Sequence, residues 1–142
     1  MAQWFHVTCE AESDNLFQLA DGRYQFTAHG RTAPLMIGYG YVLADRALAK
    51  YLVSRRLQEI EIRPATLYRR TTNEEFDTHA EICIGSEIEF EKFDEVQAHG
   101  EQLAIMGKQY LFASSALKEE LERAKFEYLR FSEGLSEFCA GT

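Results

Sequence analysis

Residues 109–131, QYLFASSALKEELERAKFEYLRF, constrain the fold more than any other stretch of this chain. Tyr110, Leu111 and Phe112 form an apolar run too short for a helix and aromatic enough for a buried strand. Ser114 or Ser115 can cap a following helix by accepting a hydrogen bond from an N–H of its first turn. Leu117, Leu121, Ala124 and Tyr128 then recur at i, i+4, i+7 and i+11, one face of a helix of about 3.6 residues per turn. Glu119 and Arg123, on other faces, form a favourable i,i+4 pair. From Phe126 onward the pattern turns aromatic and strand-like. The stretch predicts strand, capped helix, strand.

A shorter echo lies about 59 residues earlier. Tyr51-Leu52-Val53 followed by Ser54 and Leu57-Gln58-Glu59 parallels Tyr110-Leu111-Phe112 followed by Ser114/Ser115 and Leu117-Lys118-Glu119. Two similar supersecondary units on one sheet are expected, with Tyr51–Val53 a strand in the first. Before them, Trp4-Phe5-His6-Val7 reads as a strand, 9–15 as a polar turn, 16–19 as a short apolar run of either type and 23–28 as a strand. Residues 30–41, with three glycines and Pro34, read as a glycine-rich surface loop. Gly38-Tyr39-Gly40 lacks the further glycine of a dinucleotide fingerprint and the Lys-Ser/Thr of a phosphate loop. A helix is expected at 44–49 from its propensity.

From Glu59 the period becomes two, and Pro64 favours an edge or a bulge. Thr66-Leu67-Tyr68 and 76–84 read as a long hairpin about a turn at 69–74. Phe76, Thr78, Ala80, Ile82 and Ile84 would face one way, Asp77, His79, Glu81 and Cys83 the other. Residues 87–91 alternate throughout, which predicts a strand carrying Glu87, Glu89 and Glu91 on one face at about 7 Å spacing. Residues 96–107 read as a mixed connection. The sum is a single α+β domain spanning 1–142, with an antiparallel or mixed sheet of about six strands and two or three helices packed on one face.

Charge narrows the partners. The net charge is −8, yet the segment from Glu74 to Glu95 holds nine acids and one base, so the rest of the chain is neutral. Phosphates would be repelled and a basic protein attracted, which sets nucleic acid aside. No apolar run approaches the roughly 18 residues of a membrane span, so no membrane partner is expected. The start, MAQWFHVTCEAESD, lacks a basic segment followed by an apolar core. Cys9, Cys83 and Cys139 show no CxxC spacing, which favours reduced thiols and a cytoplasmic setting.

Catalytic patterns are weak. His6, His29, His79 and His99 are scattered, and neither His6-x-x-Cys9 nor His79-x-x-x-Cys83 has the second half of a zinc site. There is no GxSxG or HExxH. Asp77, Glu89, Glu91 and Lys92 bring to mind a metal nuclease, but the lysine adjoins the second acid instead of standing two positions beyond it. No catalytic, cofactor-binding or metal-ligating residue is therefore assigned. The acidic row of Glu74, Glu75, Asp77, Glu81, Glu87, Glu89 and Glu91 reads as a surface for a basic protein, because like charges on adjacent strands cost stability. Tyr39, Tyr41 and Tyr68 are its candidate exposed anchors. The alternatives are a small carboxylate or metal-dependent hydrolase and a non-catalytic assembly subunit, the latter forming a homodimer through a free strand edge.

The runs YLVSRRLQEIEIRPATLYRRTTNEEFDTHAEICI (51–84) and YLFASSALKEELERAKFEYLRFSEG (110–134) resemble a group of small bacterial immunity proteins encoded beside polymorphic or type VI-delivered toxins. The first unit of that group is matched by Tyr51, Leu52, Val53, Ser54, Leu57, Ile62, Arg63 and Pro64. Tyr110, Leu111, Phe112, Ser114, Leu117, Lys118, Leu121, Leu129 and Phe131 match the second. The resemblance covers about the last two-thirds of the chain and implies a non-enzymatic, cofactor-free inhibitor that binds a cognate toxin.

Overall fold

Short strands separated by glycine and polar turns dominate the regular structure of the chain, which the computed structural model describes at residues 3–27, 30–136 and 138. Strands β1 (Trp4–Cys9), β2 (Leu16–Gln18), β3 (Tyr24–Phe26), β4 (Leu35–Gly38) and β5 (Tyr41–Asp45) precede helix α1 (Arg46–Ser54). Then β6 (Ile60–Pro64), β7 (Leu67–Arg69), β8 (Glu74–Phe76), β9 (His79–Ile84) and β10 (Glu87–Ile88) lead to a 3-10 helix at Phe90–Glu95. The chain continues through β11 (Leu103–Met106), β12 (Tyr110–Ser114), α2 (Ser115–Arg123) and β13 (Leu129–Glu133). The sheets run β10-β11-β12-β1-β13, β4-β5-β9-β6 and β2-β3-β7-β8. The α+β class holds, but the described residues form thirteen strands in three sheets, not about six in one. His29, Cys139 and Ala28, the end of the expected 23–28 strand, lie outside the described residues.

Two of the sheets are built alike. In each, a hairpin (β4–β5 or β11–β12) runs directly into a nine-residue helix and then a return strand, β6 or β13. The hairpin's second strand and the return strand flank a central antiparallel strand, β9 in the first unit and β1 in the second. Asp45 and Ser114 occupy the same place: each caps its helix from extended backbone by accepting the N–H of the residue three further on, Leu48 or Leu117. Beyond the helices, Arg56 and Lys125 both take positive φ, at 52° and 65°. His79 and Ile82 of β9 match Trp4 and Val7 of β1 in register and in burial. The units thus repeat at a spacing of 69 residues, from Asp45 to Ser114, instead of 59.

That spacing overturns the expected pairing of Tyr51-Leu52-Val53 with Tyr110-Leu111-Phe112. Tyr51–Val53 is helical, Ser54 is the last residue of α1, and 57–59 is a turn in which Glu59 has φ 58°. Burial decides it: Leu48, Ala49 and Leu52 lie on one helical face, and all three enter the core. The 30–41 segment is a loop only over 30–34 and becomes strand from Leu35. Leu35 and Met36 are buried in β4, and only Tyr39-Gly40 forms the turn. The 96–107 connection contains β11. The expected long hairpin divides at Asp77-Thr78, so β8 pairs with β7 in the small sheet while β9 crosses to the next one. His79, expected on the polar side, is buried with its Nε2 2.7 Å from the Ala33 carbonyl.

One main core gathers the inner faces of the two like sheets and both α-helices, through Val7, Val42, Leu48, Ile82, Leu111 and Leu121 among others. Leu117, fully buried there, contributes about 1.5–3 kcal/mol by leaving water. A second core, with Tyr24, Met36, Leu43 and Leu67, joins the first unit to the small sheet. A third, with Trp4, Ile88, Phe93 and Phe112, lies under the 3-10 helix on the second unit. At the helix ends Arg55 of the first unit forks onto Glu101 (Nε–Oε1 2.7 Å), and the Tyr51 hydroxyl donates to the Glu120 carbonyl at 3.1 Å. Among the described residues no helix is long and apolar enough to cross a membrane.

A candidate protein-binding groove between the two units

The turns of the two equivalent hairpins meet. Tyr39-Gly40 closes β4–β5, Gly107-Lys108-Gln109 closes β11–β12, and the Gly40 N–H donates to the Lys108 carbonyl at 2.7 Å. Gly40 takes φ 84° here, a conformation that glycine reaches without a β-carbon clash. Lys108 lines two neighbouring hollows. The first, about 400 Å³, sits between the units, with Tyr41, Val42, Ile84 and Ile105 as apolar walls and Glu81 and Glu87 as carboxylates. The second, about 560 Å³, is an open groove bounded by Glu87, Glu89, Phe90 and Glu91 on one side and Met106 and Tyr110 on the other. Glu87 and Lys108 line both, so the two hollows adjoin.

The acidic rim is not the strand that alternation predicts. Only Glu87 and Ile88 pair with β11, in parallel, and the chain then turns into the 3-10 helix. Ile88 and Phe93 are the apolar residues that the third core takes in, whereas Phe90 stays 55% exposed. Glu87, Glu89 and Glu91 are all exposed, but they share a rim instead of a strand face.

Ion pairing divides the acidic segment in two. Glu74 pairs with Arg69 at 3.3 Å, Glu75 with Arg23 at 4.0 Å and Asp77 with Arg46 at 3.0 Å. Those arginines come from outside the segment or from its border, so the upstream acids are locally offset. Glu81 is half-buried and accepts the Tyr24 hydroxyl at 2.8 Å; burial first, and then this carboxylate, drive the Tyr24 phenol well above its usual range. Downstream, residues 87–95 carry five acids against Lys92 alone, which pairs with Glu89 at 3.5 Å. Among the described residues neither Glu87 nor Glu91 has an ion pair. Of these five acids Glu87, Glu89 and Glu91 line the groove, together with Lys108, while Asp94 lines a separate hollow beside Trp4 and Phe93.

The tyrosines separate too. Tyr39 is 70% exposed in the hairpin turn, next in sequence to Gly40, which lines the first hollow. Tyr41, expected to be an exposed anchor, is buried: its hydroxyl accepts the Leu16 N–H at 3.1 Å and its ring packs on Tyr24. Tyr68 belongs to the small sheet, where Arg23 lies 4.1 Å over its ring and its hydroxyl donates to Asn73. The structure brings Glu81 and Glu87 to the first hollow and Glu87, Glu89 and Glu91 to the second, and leaves Glu74, Glu75, Asp77 and Tyr68 elsewhere. Sequence alone singles out neither Phe90 nor Lys108, because the alternation at 87–91 draws the eye to the glutamates and the strand ends at Ile88, before Phe90. Among the described residues no three His, Cys, Asp or Glu side chains converge as a metal site would require, and Cys9 and Cys83 are free thiols. No family model, characterised protein or solved structure matches the chain.

Proposed function

We propose that the chain is an immunity protein that binds a cognate antibacterial toxin in the cytoplasm and neutralises it by covering its active site. The observation that carries this reading is the groove itself: among the described residues Glu87 and Glu91 have no ion pair, and they border an open channel beside the exposed ring of Phe90. Such a surface attracts a basic partner over distance and anchors it on contact, since charge raises association rates while aromatic residues dominate binding energy. A nuclease suits it well, because a groove built to hold phosphates is basic and an acidic rim occupies it. The resemblance of 51–84 and 110–134 to toxin-associated immunity proteins points the same way.

The test uses the toxin encoded next to this chain. With Glu87, Glu89 and Glu91 all changed to Lys, association in stopped flow should slow by about tenfold or more at low salt, and the salt dependence should flatten. Cells carrying the triple variant should lose protection. Unchanged association and full protection would discard this face as the contact.

A further inference from the structure

The hollow between the units has a chemistry of its own, distinct from the rim around it. Tyr41 and Val42 of β5, Ile84 of β9 and Ile105 of β11 form the apolar part of its wall. Two carboxylates, Glu81 and Glu87, stand in the same hollow on different elements, β9 and β10. Glu81 is held in place by the Tyr24 hydroxyl, so this acceptor is already oriented before anything binds. The cations nearest to these groups do not neutralise them through a direct pair. Arg63, opposite Glu81 on β6, gives its guanidinium to Glu61 at 2.9 Å. Lys108 lines the hollow, yet it forms no ion pair with either glutamate among the described residues.

We infer that this hollow is the slot for a single arginine side chain of the bound partner, with its stem against Tyr41, Ile84 and Ile105 and its guanidinium between Glu81 and Glu87. Charge complementarity selects the occupant, and shape selects among cations. An apolar stem ending in a planar charged fork fits apolar walls that lead to two separate acceptors. Guanidinium is also more weakly hydrated than an ammonium group, so it enters a half-buried site at lower cost. The slot lies where the two units meet, and an arginine seated there contacts both. This inference rests on the proposed protein-binding function and adds the residue type that the partner must present.

The test needs no partner. ¹H–¹⁵N spectra of the full chain are titrated with L-arginine amide and, separately, with L-citrulline amide, its neutral near-isostere. Arginine amide should shift the amides of Ile84, Glu87 and Ile105, and citrulline amide should bind about tenfold more weakly, the factor that one charge-assisted hydrogen bond supplies. Glu87→Gln, at an exposed position, and Glu81→Gln, which keeps an oxygen for the Tyr24 hydroxyl, should each reduce arginine amide binding to a similar degree. Equal binding of the two amides, or no shift at these three positions, overturns the slot. The two readings fail separately: a toxin complex lost in the triple lysine variant, with no arginine selectivity, removes the slot alone. Arginine selectivity with an unaffected toxin complex removes the groove as the toxin contact.

Discussion

Gly38 shows how closely the site is built at the scale of one residue. It ends β4 just before the turn, and the ring of Tyr41 occupies the place where a β-carbon would stand. That ring has little freedom to move, being tied through its hydroxyl to the Leu16 N–H and packed on Tyr24. Gly40, two residues on, differs in kind: it has open space around it but a positive φ of 84°. Gly38→Ala should therefore cost about 1–3 kcal/mol through overpacking, and Gly40→Ala about 1 kcal/mol through backbone strain alone. Urea denaturation of the two variants separates these causes, and Gly38→Ala should also alter the hollow by displacing Tyr41. If Gly38→Ala proves the milder change, the crowding account is wrong. None of this is legible in the string GYG, where both glycines look alike, because the difference lies in what packs above them.

At the scale of elements, the two helices begin in the same way, yet their caps are not equally loaded. Asp45 accepts the Leu48 N–H at 2.9 Å. Ser114 accepts the Leu117 N–H at 3.3 Å and also the Gln102 N–H at 2.9 Å, and it is almost wholly buried. Asp45→Ala should cost about 1 kcal/mol and Ser114→Ala about 2 kcal/mol, since the second change strands a further backbone donor. Equal losses in thermal or urea unfolding would mean that the Gln102 bond contributes nothing. The second unit was readable because its pieces agree: Tyr110-Leu111-Phe112 favours a strand, Ser114 caps, and Leu117 and Leu121 repeat at helical spacing. In the first unit they conflict. Tyr51-Leu52-Val53 carries strand-type side chains inside a helix, and the pull of Leu48 and Leu52 into the shared core overrides that local preference. The alternation at 87–91 misled for the same reason, because the third core takes Phe93 and so bends the chain away after Ile88.

For the molecule as a whole, the acidic excess was visible in the sequence as a total, while its location was not. Arg23, Arg46 and Arg69 come from other elements to offset Glu75, Asp77 and Glu74, and only the tertiary fold makes those pairs. The repeat was likewise visible in outline and wrong in register, because its two copies take their central strands from opposite directions along the chain. In the first unit β9 follows the return strand β6; in the second, β1 precedes everything and the return strand β13 comes last. Yet β13 and β1 are antiparallel neighbours, and the Gly134 N–H donates to the Trp4 carbonyl at 2.9 Å. Closing that gap with a connection makes β1 follow β13, so that the central strand comes after the return strand, as β9 comes after β6 in the first unit with β7 and β8 between them. A circular permutant that joins Phe138 to Gln3 through a glycine-serine linker on the order of eight residues, and opens at exposed Ala11 after β1, should therefore fold. Its circular dichroism spectrum and urea midpoint should stay close to those of the parent, because every sheet pairing and all three cores are kept. Trp4, buried in the third core of the second unit, supplies a local fluorescence probe of whether β1 has docked. A permutant with native-like helix content but an exposed Trp4 would show that β1 needs its place at the start of the chain, and that the second unit is not the permuted equivalent of the first.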